Sequence, residues 1–302
     1  MRTHTLSIAR LFVVSTLLGS PAFSYAQAAP AAGKAQIVVA DVGFATPESV
    51  EYSAADDTYL VANINGDPFG TDNNGFISKV SPDGKVITLK WIEGGQNGVT
   101  LNAPKGMTIV QGSLYVADLD TVRVFEVASG KPVRSIAIKG ATFLNGLAAS
   151  SKGDAIYVTD SGFNAGFAAS GTDAIHRVKL DGTVQQLASS KDMGHPNGVW
   201  DDNGTILYVT FGSGKLMAIG GGKPVTFPAP PAGQLDGLVQ VKGGRILASS
   251  WEGKAIYALG GDRKFTTLAD SLDAPADLGV DTKRNRLLIP LFQQNKVVIQ
   301  PL

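Results

Sequence analysis

Leu144-Asn145-Gly146-Leu147 and Pro196-Asn197-Gly198-Val199 are two copies of one phrase, and counting its other copies decides the fold. The same pattern, a polar residue and then a small one leading into apolar residues, occurs as Pro47-Glu48-Ser49-Val50 and Pro104-Lys105-Gly106-Met107. It returns as Leu235-Asp236-Gly237-Leu238 and, more loosely, as Pro275-Ala276-Asp277-Leu278. Successive second positions lie 57, 40, 52, 39 and 40 residues apart. A period of about 40 residues is that of a four-stranded propeller blade, so the chain reads as six blades, two of them enlarged.

Each phrase precedes a second β-rich run. The clearest are Leu114-Tyr115-Val116-Ala117-Asp118, Ile156-Tyr157-Val158-Thr159-Asp160 and Leu207-Tyr208-Val209-Thr210. Turn pairs such as Asp83-Gly84 and Asp181-Gly182 lead into outer strands. No segment beyond the amino-terminal stretch carries a long 3.6-residue apolar period, so few helices are expected. The sixth repeat ends after about three strands, whereas Ala35–Ala40 (AQIVVA) precedes the first repeat as an orphan strand. Joining it to the last blade would hide both sheet edges. The expected fold is all-β, a single six-bladed β-propeller of four-stranded antiparallel blades over residues 35–302.

The amino terminus reads differently. Arg2 and Arg10 flank the apolar run Leu11–Leu18, and Ala26-Gln27-Ala28 supplies a small-residue cleavage pattern. Residues 1–28 therefore read as a signal peptide and 29–34 as a tether, with a periplasmic or secreted destination. The apolar run is too short to span a bilayer, and no span is expected once it is removed. Twenty-six basic residues balance 26 acidic ones, which leaves no electrostatic footprint for nucleic acid. Nothing in the composition indicates an obligate oligomer. Cysteine is absent, which excludes disulfides and thiol chemistry.

Strands in a blade alternate in direction, so the start of the innermost strand and the end of the second lie on one face. Glu48, Lys105, Asn145, Asn197, Asp236 and then Ala276 or Asp277 should converge on one mouth of the central channel. The enlarged units add Asn65–Gly75 and Ser161–Thr172 on the same face, where Phe69, Phe163 and Phe167 suggest apolar lining. Glu48, Asn145, Asn197 and Asp236 are hard oxygen donors suited to a divalent cation. Calcium is the first expectation, and magnesium, manganese or zinc are also admitted. Singly, each Asn-Gly or Asp-Gly pair reads first as a turn; convergence of four oxygen donors at one repeat position reverses that preference in favour of the metal. Asp72-Asn73-Asn74-Gly75 reads as a solvated turn ahead of a second calcium site.

In order and spacing these residues resemble the SMP-30/gluconolactonase/luciferin-regenerating family of six-bladed propellers. Glu48 in TPESVEY, Asn145 in FLNGLA, Asn197 in HPNGVW and Asp236 in LDGL look like its cation ligands. The first phrase departs from the commoner Glu-Gly-Pro form, and Lys105 matches no family residue. The resemblance implies a metal-dependent hydrolase acting on a small-molecule lactone or ester. Asp236 is then the candidate general base or nucleophile. Lys105 would stabilise developing negative charge or serve as counter-ion to Glu48 or Asp236. Asp277 reads as a strand-start cap or a second acid or base, and His195 as a structural residue at the mouth. The chain lacks G-x-S-x-G, H-E-x-x-H and phosphate-loop motifs. The alternative is a non-catalytic propeller that binds a ligand or partner, with its metal bracing the ring.

Overall fold

The structure, a computed structural model, describes residues 35–220 and 223–302, and of residues 223–226 the backbone alone. The expected signal peptide and tether lie outside the described residues. The described chain forms six four-stranded antiparallel sheets, with helix confined to single turns at Ala165–Phe167 and Phe292–Gln294. None of its helices is long and apolar enough to cross a membrane.

Five blades run in sequence order from the inside outward. Their innermost strands are Pro47–Ser53, Pro104–Val110, Leu144–Ala149, Pro196–Asp202 and Leu235–Gln240. The sixth is built from both chain ends. Gly279–Asp281 lies innermost, then Arg286–Leu291 and Lys296–Pro301, and Ile37–Val39 pairs on the outside. The register Ile37–Ile299, Val38–Val298 and Val39–Val297 is the ring closure expected from the orphan strand.

Period-two alternation explains why blades stack into a ring. In the second strand of blade 1, Leu60 and Ala62 enter the apolar layer shared with blade 2. Tyr59 and Val61 enter the layer shared with blade 6. Blade 2 repeats this, with Leu114 and Val116 facing back and Tyr115 and Ala117 facing forward. Six buried clusters result, one at each junction between neighbouring blades. A strand buried on both faces must be apolar at consecutive positions, which is why these second strands give the strongest β signals in the sequence.

Polar contacts reinforce the junction where the chain ends meet. Arg284 donates to both oxygens of Asp57, at 2.7 and 2.6 Å, and to Asp281 at 3.0 Å. The Tyr59 hydroxyl donates to Asp281 Oδ2 at 2.6 Å. Blade 1 is thereby tied to blade 6 by groups more than 220 residues apart.

At the channel the innermost strands approach so closely that side chains are excluded. A Cβ on Gly106 would lie 2.5 Å from the Asn145 carbonyl oxygen. On Gly146 it would lie 2.5 Å from that of Asn197, and on Gly198 2.5 Å from that of Asp236. These glycines serve strand-to-strand contact, so Asn145-Gly146 and Asn197-Gly198 are strand residues and not turns. Gly198→Ala should therefore destabilise the fold by about 1–3 kcal/mol or more through overpacking against backbone. Gly220→Ala, with no atom within 4 Å of its added Cβ, should stay within about 0.5 kcal/mol. Urea midpoints measure both, and equal effects would refute the close-approach explanation.

Candidate metal centre at the channel mouth

Each polar residue of the repeat is aimed by the same local device. Innermost and second strands pair at Pro47–Asn63, Pro104–Asp118, Leu144–Asp160, Pro196–Thr210 and Leu235–Ser250, and the register then shifts. Glu48, Lys105, Asn145, Asn197 and Asp236 sit inside these irregularities, where a bulge turns a side chain away from the regular alternation. Two residues upstream of the repeat position, Thr46, His195, Gln234 and Ala274 hold positive φ values of 55°, 61°, 48° and 48°. Left-handed backbone at a non-glycine residue costs roughly 1–3 kcal/mol and persists only where neighbours enforce it. Here the enforcing contact is a repeated hydrogen bond. Ile64, Phe211, Trp251 and Phe292 donate their N–H groups to the carbonyls of Thr46, His195, Gln234 and Ala274. Residues ending second strands brace the same lead-in: Asp118 accepts from Asn102 and Ala103, and Asp160 from Thr142 and Phe143.

Glu48, Lys105, Asn145, Asn197 and Asp236 line one cavity of about 700 Å³, part of it open to solvent. Glu48 Oε2, Asn145 Oδ1, Asn197 Oδ1 and Asp236 Oδ1 are all buried there without a hydrogen-bond partner. Buried acceptors in folded proteins are normally satisfied, so four orphans in one cavity mark a place built for a ligand. The orientation of Asn145 is fixed from behind. Ser161 Oγ donates to the Pro196 carbonyl at 2.5 Å and accepts from Asn145 Nδ2 at 3.2 Å, leaving Oδ1 for the cavity.

The electrostatics of the cavity favour a positive charge beside the donors. Burial, then the charges of Asp236 and Asp277, push the Glu48 carboxyl well above its ordinary range, with Lys105 partly opposing. Burial and Asp277 raise Asp236 likewise; the Trp251 indole N–H lies close enough to temper this without a hydrogen bond of regular geometry. Two carboxylates and two carboxamides form a hard, all-oxygen donor set that fits a hard divalent cation. Among the described residues no group of three or more His, Cys, Asp or Glu gathers as a metal site, so a cation held at this cavity would need the carboxamides as well as the carboxylates.

The other sequence candidates separate clearly. Lys105 is buried, with Nζ donating to the carbonyls of Pro68 at 3.2 Å and Ala103 at 3.1 Å. Its ammonium lies 4.1 Å from the centroid of the Phe143 ring, and burial lowers its pKa to about 8. Ala276 takes the blade 6 position equivalent to the donors, and the following Asp277 donates its N–H to the Glu48 carbonyl at 2.9 Å. Burial raises the Asp277 carboxyl to about 7. His195 stacks on Phe163 at 4.1 Å with Nδ1 2.7 Å from the Ser161 carbonyl oxygen, and is not a wall of the cavity. Asp72–Gly75 knits its loop to the next blade, Asn73 accepting from Leu101 N at 2.8 Å.

Sequence reasoning missed much of the cavity wall. Phe143, Phe211, Trp251, Phe292 and Gln234 join the expected Phe163 and Phe167 around the donors. The signal was present as a second repeat phase. The residue after each second strand is Ile64, Leu119, Ser161, Phe211, Trp251 and Phe292, and four of these six line the cavity.

No protein-family profile and no curated protein matches the sequence. Solved structures do match. A gluconolactonase from Xanthomonas campestris aligns with a TM-score of 0.67 and 18% identity, over 88% of this chain and 89% of that one. A second protein assigned as a gluconolactonase gives 0.67 and 19%, over 90% and 93%. Virginiamycin B lyase from Staphylococcus aureus gives 0.61 and 13%, over 89% and 100%. At these identities the likeness establishes the propeller fold, which gluconolactonases share.

Two outcomes test the site. With chelator present, Asp277 (3.8 to about 7) and Glu51 further down the channel (4.5 to about 8, raised by burial and Asp277) keep protons that the unfolded chain has lost. The folded chain then binds more protons, so stability should fall as pH climbs from about 4 to 8. Saturating calcium should flatten that slope; urea midpoints at several pH values, with and without chelator, decide it. Ser161→Ala should weaken calcium binding by about 10- to 100-fold, through the freed Asn145 carboxamide, in calorimetric titration. An unchanged affinity would remove Ser161 from the site.

Proposed function

We propose that the chain is a divalent-cation-dependent hydrolase of the lactonase or esterase type, acting on a small molecule at the channel mouth. The four orphaned, buried oxygen atoms in one cavity carry this reading. The gluconolactonases of like fold support it, as does the resemblance of Glu48, Asn145, Asn197 and Asp236 to that family's ligands. Calcium is the ion best matched to carboxylate and carboxamide donors, ahead of magnesium, manganese or zinc. The Arg-flanked apolar run in residues 1–28 supports an exported protein, periplasmic or secreted.

A bound cation would supply Lewis-acid polarisation of the substrate carbonyl. The chain's own residues supply the rest. Glu48, Asn145, Asn197 and Asp236 would hold the ion. Asp236 is also the base, taking a proton from water as the water oxygen bonds to the acyl carbon. The acyl C–O bond then breaks, and that proton passes to the departing alkoxide. Lys105, fixed by two carbonyls and the Phe143 ring, offers its remaining proton to negative charge growing on the carbonyl oxygen. The aromatic wall keeps bulk water from competing.

The non-catalytic reading, a ligand- or partner-binding propeller braced by its metal, predicts a different response. Hydrolysis of a lactone and ester panel by the mature protein should require divalent cation. Asp236→Asn should lower kcat/KM by about 100-fold or more while the circular dichroism spectrum is kept. Tight cation binding without turnover of any lactone or ester would favour the binding propeller instead.

A further inference from the structure

The polar inventory of the cavity is almost fully committed. Four of its polar wall residues present the orphaned oxygens and Lys105 is held by two carbonyls and a ring, which leaves Gln234 and the unpartnered indole N–H of Trp251. A polyhydroxylated lactone buried here would meet too few partners. Each hydroxyl stripped of water without replacement costs roughly tenfold in affinity.

What faces the donors is aromatic, on two sides. Phe143, Phe163 and Phe167 form a contiguous patch with Phe69, at centroid separations of 4.8 to 6.2 Å. Phe211, Trp251 and Phe292 form a second patch, at 5.4 and 5.0 Å. The two come from different parts of the ring. The first belongs to the blade 1 and blade 3 insertions and the lead-in to blade 3, the second to blades 4, 5 and 6. Rings on either side of a donor cluster suit a flat apolar group, which can stack or meet edges on both faces.

Phe167 adds an independent observation. It is 54% exposed, among the few large apolar side chains on the surface, and its φ is +59°. A strained backbone that presents an exposed aromatic ring beside a cavity is a feature of ligand-capturing loops rather than of packing.

Resting on the hydrolase reading above, we propose that the substrate is an aryl or similarly apolar lactone or ester and not a sugar lactone. The acyl carbonyl lies at the donor cluster and the apolar group between the two aromatic patches, with Phe167 closing over it.

The test separates ligand class from catalysis. Calcium-loaded mature protein is titrated calorimetrically with two inert lactams, 3,4-dihydro-2-quinolinone and glucono-δ-lactam. Hydrolysis of dihydrocoumarin and of glucono-δ-lactone is measured in parallel. The aryl lactam should bind at least 10-fold tighter, and dihydrocoumarin should show the higher kcat/KM. Phe167→Ala, at an exposed position that folding does not need, should weaken aryl lactam binding about 5- to 10-fold with Tm unchanged; Phe211→Ala should act in the same direction. Aryl binding without turnover of either lactone would uphold the ligand class and defeat the hydrolase reading. Preferential binding and turnover of the polyhydroxylated pair would overturn the inference and leave the hydrolase reading standing. Aryl binding that ignores both substitutions would also overturn it.

Discussion

The structure depends on how closely six innermost strands can crowd around one axis. At Gly106, Gly146, Gly198 and Gly237 a Cβ would come within 2.5 Å of the next blade's backbone, so the ring radius is set by hydrogen atoms where side chains would otherwise stand. The crowding also uses up the carbonyls of the preceding residues. Ser49 Oγ donates to the Lys105 carbonyl, Thr159 Oγ1 to that of Asn197, and Ser249 Oγ to that of Ala276. Asp277 N–H closes the circle on Glu48. With backbone facing the neighbour and a bulge in the strand, the side chain of each donor position is left with the channel.

That geometry accounts for what was legible. Repeat phase, strand polarity and the orphan strand at Ala35–Ala40 are local patterns, so the blades, their closure and the shared face of Glu48, Asn145, Asn197 and Asp236 could be read directly. The turn reading of Asn-Gly failed as an alternative because glycine answers two needs, positive φ and missing bulk, and the residue letter does not distinguish them. Here Gly146 and Gly198 are not among the positive-φ glycines, and bulk is what matters.

The illegible parts are the non-local ones. Ser161 orients Asn145 across 16 residues, and Lys105 meets a carbonyl 37 residues away at Pro68. No pattern in the chain pairs them. The left-handed His195 and Ala274 precede prolines, where sequence rules favour extended backbone. Hydrogen bonds from Phe211 and Phe292 to their carbonyls hold them, together with the His195 N–H donated to Asp173. The aromatic wall is a different kind of miss. For Phe211, Trp251 and Phe292 the phase is periodic, one residue past each second strand, where the polar repeat does not reach.

Donors and aromatics thus occupy two different structural phases, with different tolerances. The donor phase lies within the crowded inner strands, where burial and neighbouring carboxylates raise both Glu48 and Asp236 and four acceptors go unsatisfied. Six apolar junctions hold the ring together well enough to carry that local conflict, which is the usual sign of a functional site. The aromatic phase begins the loops after the second strands. Leu119 and Ser161 occupy it in blades 2 and 3, Phe211 and Trp251 in blades 4 and 5, so the position accepts side chains of very different size without disturbing the ring. The oxygen donors are therefore fixed by the closure of the ring, whereas most of the aromatic wall stands at loop positions whose side-chain size varies from blade to blade.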